Sequence, residues 1–355
     1  MSLVDTLMPL VSALAILAVI PALAVLYREF VDATRPVASG LETLLICAVA
    51  AGIWLGLSAL FPAVAGSRLQ LPTTSLAALA AFLCSLPVRD ATRRVLPALI
   101  FSSVWVIVVF TPIAIVDFFP TAVGLSPTAG PLDVGGALPV HVAVGSAALV
   151  VLLYGRNLGS VSRAHHRPRS WTLVLVTLIL WAGWAIGLVG LELAADDAAA
   201  RILINAIVGP LVGAAGWLVV ERIRQRATTV HGAAAGLLCG LVAITAGSAY
   251  LTPLWAGIIS AFAAIGAAQF TITQTEVTRR NAWIFVGAHL IAGGLGLILL
   301  GMFASDFGFI FVGQLTTLVV EIVSVLVVAA WAGGVSLALW PLIDRLTRRA
   351  RLAEP

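Results

Sequence analysis

Lysine is absent from this 355-residue chain, tyrosine, cysteine and methionine occur three times each, and charged residues of both signs make up only 10% of it. That poverty of charge excludes an ordinary soluble domain, because an average globular protein carries roughly 25% charged residues. Too few charges remain to cover a folded surface against water. The odd cysteine count implies no disulfide framework. Cys47, Cys84 and Cys239 each lie inside an apolar run and read as small buried hydrophobes. Alternating apolar and polar strands, the mark of an outer-membrane barrel, are missing. No basic segment precedes the first apolar run, and Arg28 follows it instead, so no cleavable signal peptide is expected. P-loop, zinc-protease and GxSxG patterns are also missing, and neither an enzyme nor a cofactor is expected.

What is present is long apolar sequence. Hydrophobic residues form 61% of the chain, and the runs 7–27, 98–116, 171–191 and 282–304 approach or exceed the roughly 20 residues that cross a bilayer as a helix. Runs and breaks together place helices near 7–27, 39–61, 70–87, 95–117, 137–155, 170–191, 200–221, 230–249, 252–274, 281–304 and 310–343. Pro21 and Pro112 fall inside spans, where a neighbouring helix can satisfy the freed carbonyl. The expected fold is an all-α integral membrane protein of eleven transmembrane helices, with residues 1–355 forming a single transmembrane domain.

The arginines orient it. Eighteen of the twenty lie in odd-numbered loops or after the last helix, and only Arg68 and Arg201 lie in even-numbered loops. The positive-inside rule makes the arginine-rich side cytoplasmic, with the N-terminus outside and the C-terminus inside a plasma (inner) membrane. An odd helix count follows. The clusters RIRQR and RLTRRAR have the composition of a nucleic-acid or anionic-lipid patch, but as topology anchors they are explained with all the others. No nucleic-acid partner is expected, and lipid is the surrounding partner. The Gly- and Pro-rich connection 118–136 carries a single charge after Asp117, at Asp133, and reads as packed on the outer face.

Ionisable groups inside a bilayer are costly and rare, so each is a functional candidate. His141 lies a few residues into helix five from the outside, and His289 about two turns into helix ten from the inside. Those helices run in opposite directions, so both side chains can reach the middle of the membrane. One histidine closes helices 1–5 and the other closes helices 6–10, as in an inverted five-plus-five repeat whose site forms at the repeat interface. Each alone also reads as a core histidine bonded to a backbone carbonyl. Glu321 and Glu192 read as packing or interface groups. His165 and His166 read as solvated loop residues rather than metal ligands. Gly293, Gly294 and Gly296 read as close helix-packing positions.

Around these residues the chain resembles a divergent member of the ammonium transporter (Amt/MEP/Rh) family. The segments carrying the resemblance, in order, are PALAVLYREFVDATRPVASGLETLL, VWVIVVFTPIA, LDVGGALPVHVAVGSAALVV, NAIVGPLVGAAGWLVVE, HGAAAGLLCGLVAIT and HLIAGGLGLILLGMFA. The resemblance implies a homotrimer with one narrow apolar pore per subunit, and His141 and His289 as a hydrogen-bonded pair in mid-pore. Phe118 falls where the family has a vestibule tryptophan, Asp133 on its vestibule aspartate, and Trp184 on a pore-side tryptophan of helix six. Leu203 takes one position of the family's gating phenylalanine pair, and the segment around Leu76 and Ala77 takes the other.

Further departures are Arg28 and Glu29 in place of a glycine pair, Ile284 in place of an aspartate, and Ala246 in place of a proline. The chain ends RRARLAEP where relatives carry a regulatory tail, so regulation by a PII-type partner is not expected. Three functions follow from the resemblance: conduction of ammonium or ammonia, conduction of another small neutral molecule such as methylamine or carbon dioxide, and ammonium sensing without transport.

Overall fold

The computed structural model describes residues 3–31, 40–126, 130–154, 170–273 and 283–352. His165 and His166 lie outside them. The described residues hold helices and no strand. In chain order they are α1 (Leu3–Val31), α2 (Gly40–Ser58), α3 (Gln70–Thr92), α4 (Val95–Phe118), α5 (Ala137–Tyr154), α6 (Ser170–Leu191), α7 (Asp197–Gln225), α8 (Val230–Thr245), α9 (Pro253–Ile272), α10 (Trp283–Phe303) and α11 (Thr316–Leu352). Ten are long and apolar enough to cross a membrane. The other, α8, has 16 residues and spans about 24 Å against a hydrocarbon core of about 30 Å. Residues 246–249 behind it stay buried, so the chain completes that crossing inside protein. Eleven segments therefore match the expected count.

Boundaries differ where local chemistry intervenes. Helix α3 continues past Pro87 to Thr92 and ends with Arg93 in the left-handed region. Helix α7 starts at Asp197 because the Asp196 carboxylate accepts the Ala199 N–H, an N-cap that pulls the start outward. The last helix begins at Thr316 instead of 310. Gly313, at a φ of 69°, separates it from a single turn at Phe309–Val312.

The prolines show how a bilayer helix tolerates a missing donor. Pro112 deprives the Val108 carbonyl of its intrahelical partner, and the Trp331 indole of α11 donates to that oxygen at 3.0 Å. Pro210 deprives Ala206 in the same way, and the Trp181 indole of α6 donates there at 2.6 Å. Two tryptophans thus replace two backbone donors that lipid cannot supply. The two arginines outside the cytoplasmic-type loops also have partners. The Arg68 guanidinium donates to the carbonyls of Asp5 and Leu193, and Arg201 donates to Ala249 O at 3.1 Å.

The halves repeat one packing scheme. Helix α2 packs on α3 and α4 as α7 packs on α8 and α9, and α3 meets α5 as α8 meets α10. Helices α1 and α6 join the halves, and α11 lies across α5 and α10. The fifth helix of each half begins or is interrupted by a π-helical turn, Ala137–Val142 in α5 and Gly287–Ile291 in α10. Such turns add a residue to the winding and re-aim side chains. Each carries one of the two histidines.

Candidate functional site

The start of α5 is built by Asp133. Its two oxygens accept the N–H groups of Ala137 at 2.7 Å and Leu138 at 2.6 Å, which the open first turn of a helix leaves without partners. Gly136 precedes that turn at a φ of 77°, in the left-handed region that glycine enters without strain. Pro139 follows within the first turn, where its missing N–H is no loss. Burial pushes the Asp133 carboxyl up to about 6, against the opposing pull of the Leu138, Ala137 and Gly136 N–H groups and of Asp117. Glu321, wholly buried on α11, accepts the Leu132 N–H at 2.7 Å and ties the same turn down.

One turn further on, the His141 Nδ1 meets the His289 Nδ1 at 3.0 Å. The rings lie 5.0 Å apart and 16° from parallel, and both residues are buried. Trp184 stacks on the other side of His141 at 5.1 Å and 18°, held by its indole N–H to Thr245 Oγ1 at 3.1 Å. On the far side, the Tyr27 hydroxyl lies 2.6 Å from His289 Nε2. A bond between two Nδ1 atoms needs one protonated and one bare nitrogen. If His141 donates, His289 Nε2–H donates onward to Tyr27; if His289 donates, Tyr27 donates back to Nε2. The three side chains therefore form a continuous line along which protons can be re-ordered.

Above His141 lies a cavity of about 30 Å³, lined by Leu76, Leu79, Val140, His141, Trp184 and Thr245 among others. A site needs about 10–15 Å³ on this measure to hold one water-sized molecule, so the cavity admits a solute of that size. Its polar groups are an imidazole, an indole and a hydroxyl, and the remainder is aliphatic.

The structure thus brings His141, His289 and Trp184 together. Phe118 lies at the outer end, close over Gly136, with the Leu76 side chain beside it. Leu203 needs correction. It is 46% exposed on α7 alongside Ile204 and Ile207 and does not line the cavity. The buried stripe of α7 runs through Ala199, Ile202, Ala206 and Gly209, one position out of phase with it. Leu76, from the other replaced position, does line the cavity. Glu192 sits at the end of α6, its carboxyl pushed up by partial burial and by Asp196. Tyr27 was missed by sequence reasoning, although a tyrosine at the end of an apolar run, one of three in the chain, was an available signal.

Tyr27→Phe keeps the ring against Phe285, 4.8 Å away, and removes the hydroxyl from His289. The expected result is a loss of about 1–2 kcal/mol of stability, the cost of an unpaired buried polar atom, read as a lowered thermal midpoint in detergent.

A family model described as "Ammonium Transporter Family" matches residues 64–353. The chain belongs to the ammonium transporter family. Two relatives within it are "Ammonium transporter 1" of Schizosaccharomyces pombe, 30% identical over 218 residues covering 60% of this chain and 43% of the relative, and "Ammonium transporter" of Bacillus subtilis, 32% identical over 213 residues covering 58% and 50%. The matched stretches span about half the length of these curated relatives. The fold is also that of solved ammonium transporter family structures. The Candida albicans Mep2 crystal structure has a TM-score of 0.82 at 21% identity, covering 97% of this chain and 85% of that one. A structure titled "Sensor Amt Protein" has a TM-score of 0.79 at 18% identity, covering 97% and 94%.

Proposed function

We propose that the chain conducts ammonium nitrogen across the membrane past His141 and His289. The observation that carries this reading is the 3.0 Å bond that joins His141, which lines the apolar cavity, to His289 behind it. An ammonium ion faces a large desolvation cost in such a passage, whereas neutral ammonia does not. The cation is gathered at the outer mouth by the face of Phe118 and the field of Asp133, and gives up its proton to the imidazole line that begins at His141. Ammonia then enters the cavity and is handed along the imidazole pair, whose nitrogens replace the hydrogen bonds lost from water.

The arginine asymmetry supports a plasma-membrane orientation with the N-terminus outside and the C-terminus in the cytoplasm. We read the whole chain as one transmembrane unit. A homotrimer is the assembly we infer, and it agrees with the apolar side chains that single subunits leave exposed, such as Leu14, Leu175 and Leu326.

Growth tests this reading. Expression in a microbial host deprived of its own ammonium uptake is expected to restore growth on limiting ammonium. Expression at the membrane without restored growth contradicts the reading.

A further inference from the structure

Three carboxyl groups meet behind the outer mouth: Asp117 at the end of α4, Asp133 in the turn before α5, and Glu321 on α11. The electrostatic influences on Asp117 come from Asp133 and Glu321, and neither is a cation. Both Asp117 oxygens are shielded from solvent and receive no N–H or hydroxyl. The Asp133 carboxyl lies beside them, placed to share a hydrogen bond with Asp117 once one of the two acids is protonated. Glu321 is wholly buried, and while Oε1 takes the Leu132 N–H, Oε2 has no partner.

Two carboxyl groups share a hydrogen bond only when one of them carries a proton. Both Asp133 oxygens already accept backbone N–H groups, which favours the ionised form on that side. The proton therefore belongs to Asp117. We propose that Asp117, Asp133 and Glu321 form a proton-sharing carboxyl cluster in which protonated Asp117 positions Asp133, and with it the first turn of α5 and the outer mouth. The link to uptake rests on the transport reading above, whereas the shared proton does not.

The other titratable groups of α3, α5, α8 and α11 lie elsewhere. His141 of α5 has its Nδ1 on His289 of α10. On α3, Arg89 and Asp90 lie at the opposite end and Cys84 is buried in the core. On α8, His231 lies at the opposite end and Cys239 in the core. On α11, Asp344 and Arg345 are six turns from Glu321. Loss of the Asp117 proton leaves like charges face to face, pushes Asp133 away from the Ala137 and Leu138 N–H groups and unseats Phe118, the residue after Asp117. The effect has a sign: rising external pH removes the proton and closes down uptake.

Asparagine at 117 imitates the protonated acid, since its amide N–H₂ can donate to Asp133 at all pH values. In infrared difference spectra of the purified full chain, the parent is expected to show a protonated-carboxyl C=O band at neutral pH that Asp117→Asn removes. Spectra that coincide in this region overturn the proposal, whether or not the protein conducts. In proteoliposomes, the ratio of Asp117→Asn uptake to parent uptake is expected to rise several-fold as external pH is raised. The ratio cancels the protonation of ammonium itself. A ratio independent of pH overturns the positioning role. Asp117→Leu cannot bridge and is expected to melt below both Asp117→Asn and the parent; equal melting of Leu and Asn variants contradicts the shared hydrogen bond. A parent that shows the band but no flux removes the transport reading and leaves the cluster standing.

Discussion

Replacing either His141 or His289 with alanine is expected to cut ammonium-dependent flux by at least about 100-fold, the lower range for loss of a positioned proton-transfer group. Each substitution removes half of a bond whose other half stays buried. In His141→Ala, His289 Nδ1 loses its partner and the Trp184 indole loses the ring it stacks on. In His289→Ala, His141 Nδ1 loses its partner and the Tyr27 hydroxyl loses its bond to the imidazole. A stranded buried polar atom costs about 1–3 kcal/mol, so both variants melt lower, and His289→Ala, which removes two side-chain hydrogen bonds against one in His141→Ala, melts lower. Parallel uptake and thermal-melting measurements on the two variants check both the size and the order. A wider cavity alone would raise passive leakage, so a rise in flux in either variant contradicts the pair's role.

Gly145→Ala is expected to have the second largest effect, although it adds one methyl group. Gly145 lies four residues past His141, where α5 packs directly against the α10 backbone. A Cβ there would overlap the Leu290 backbone nitrogen and lie 2.7 Å from Leu290 Cβ and 2.8 Å from its Cα. Backbone cannot rotate away as a side chain can, so the helices must separate by about an ångström, and overpacking of this kind costs about 1–3 kcal/mol. The separation opens the His141–His289 bond, since Leu290 follows His289 directly. Gly333→Ala is the control, because a Cβ there meets nothing within 4 Å; it should gain up to about 1 kcal/mol from helix propensity. Thermal midpoints of the two variants, with flux of Gly145→Ala, check the contrast.

The features legible in the sequence share a physical origin. A bilayer forces a helix to hold about 20 apolar residues, so ten of the crossings stand out as runs, and α8 is recognisable through its neighbours. Histidine inside such a run is costly enough to advertise itself, which is why His141 and His289 were found and why their antiparallel helices suggested a meeting. Other features depend on helix phase. Whether Leu203 faces the cavity or the outside is a rotation of one residue on α7, and aligned position alone does not carry it. The tryptophan plugs at Val108 and Ala206 join residues on different helices, and neither indole signals its carbonyl in the sequence. Asp117 stands at the end of an apolar run and draws no notice there, because its significance lies in Asp133 and Glu321 rather than in its own surroundings.

The most direct test of the account is ammonium flux through the purified chain in proteoliposomes, with the parent and the His141→Ala/His289→Ala double variant reconstituted at equal density. The account predicts flux that follows the ammonium gradient in the parent and falls to the level of protein-free vesicles in the double variant. Equal flux in both, or none in the parent, would contradict it.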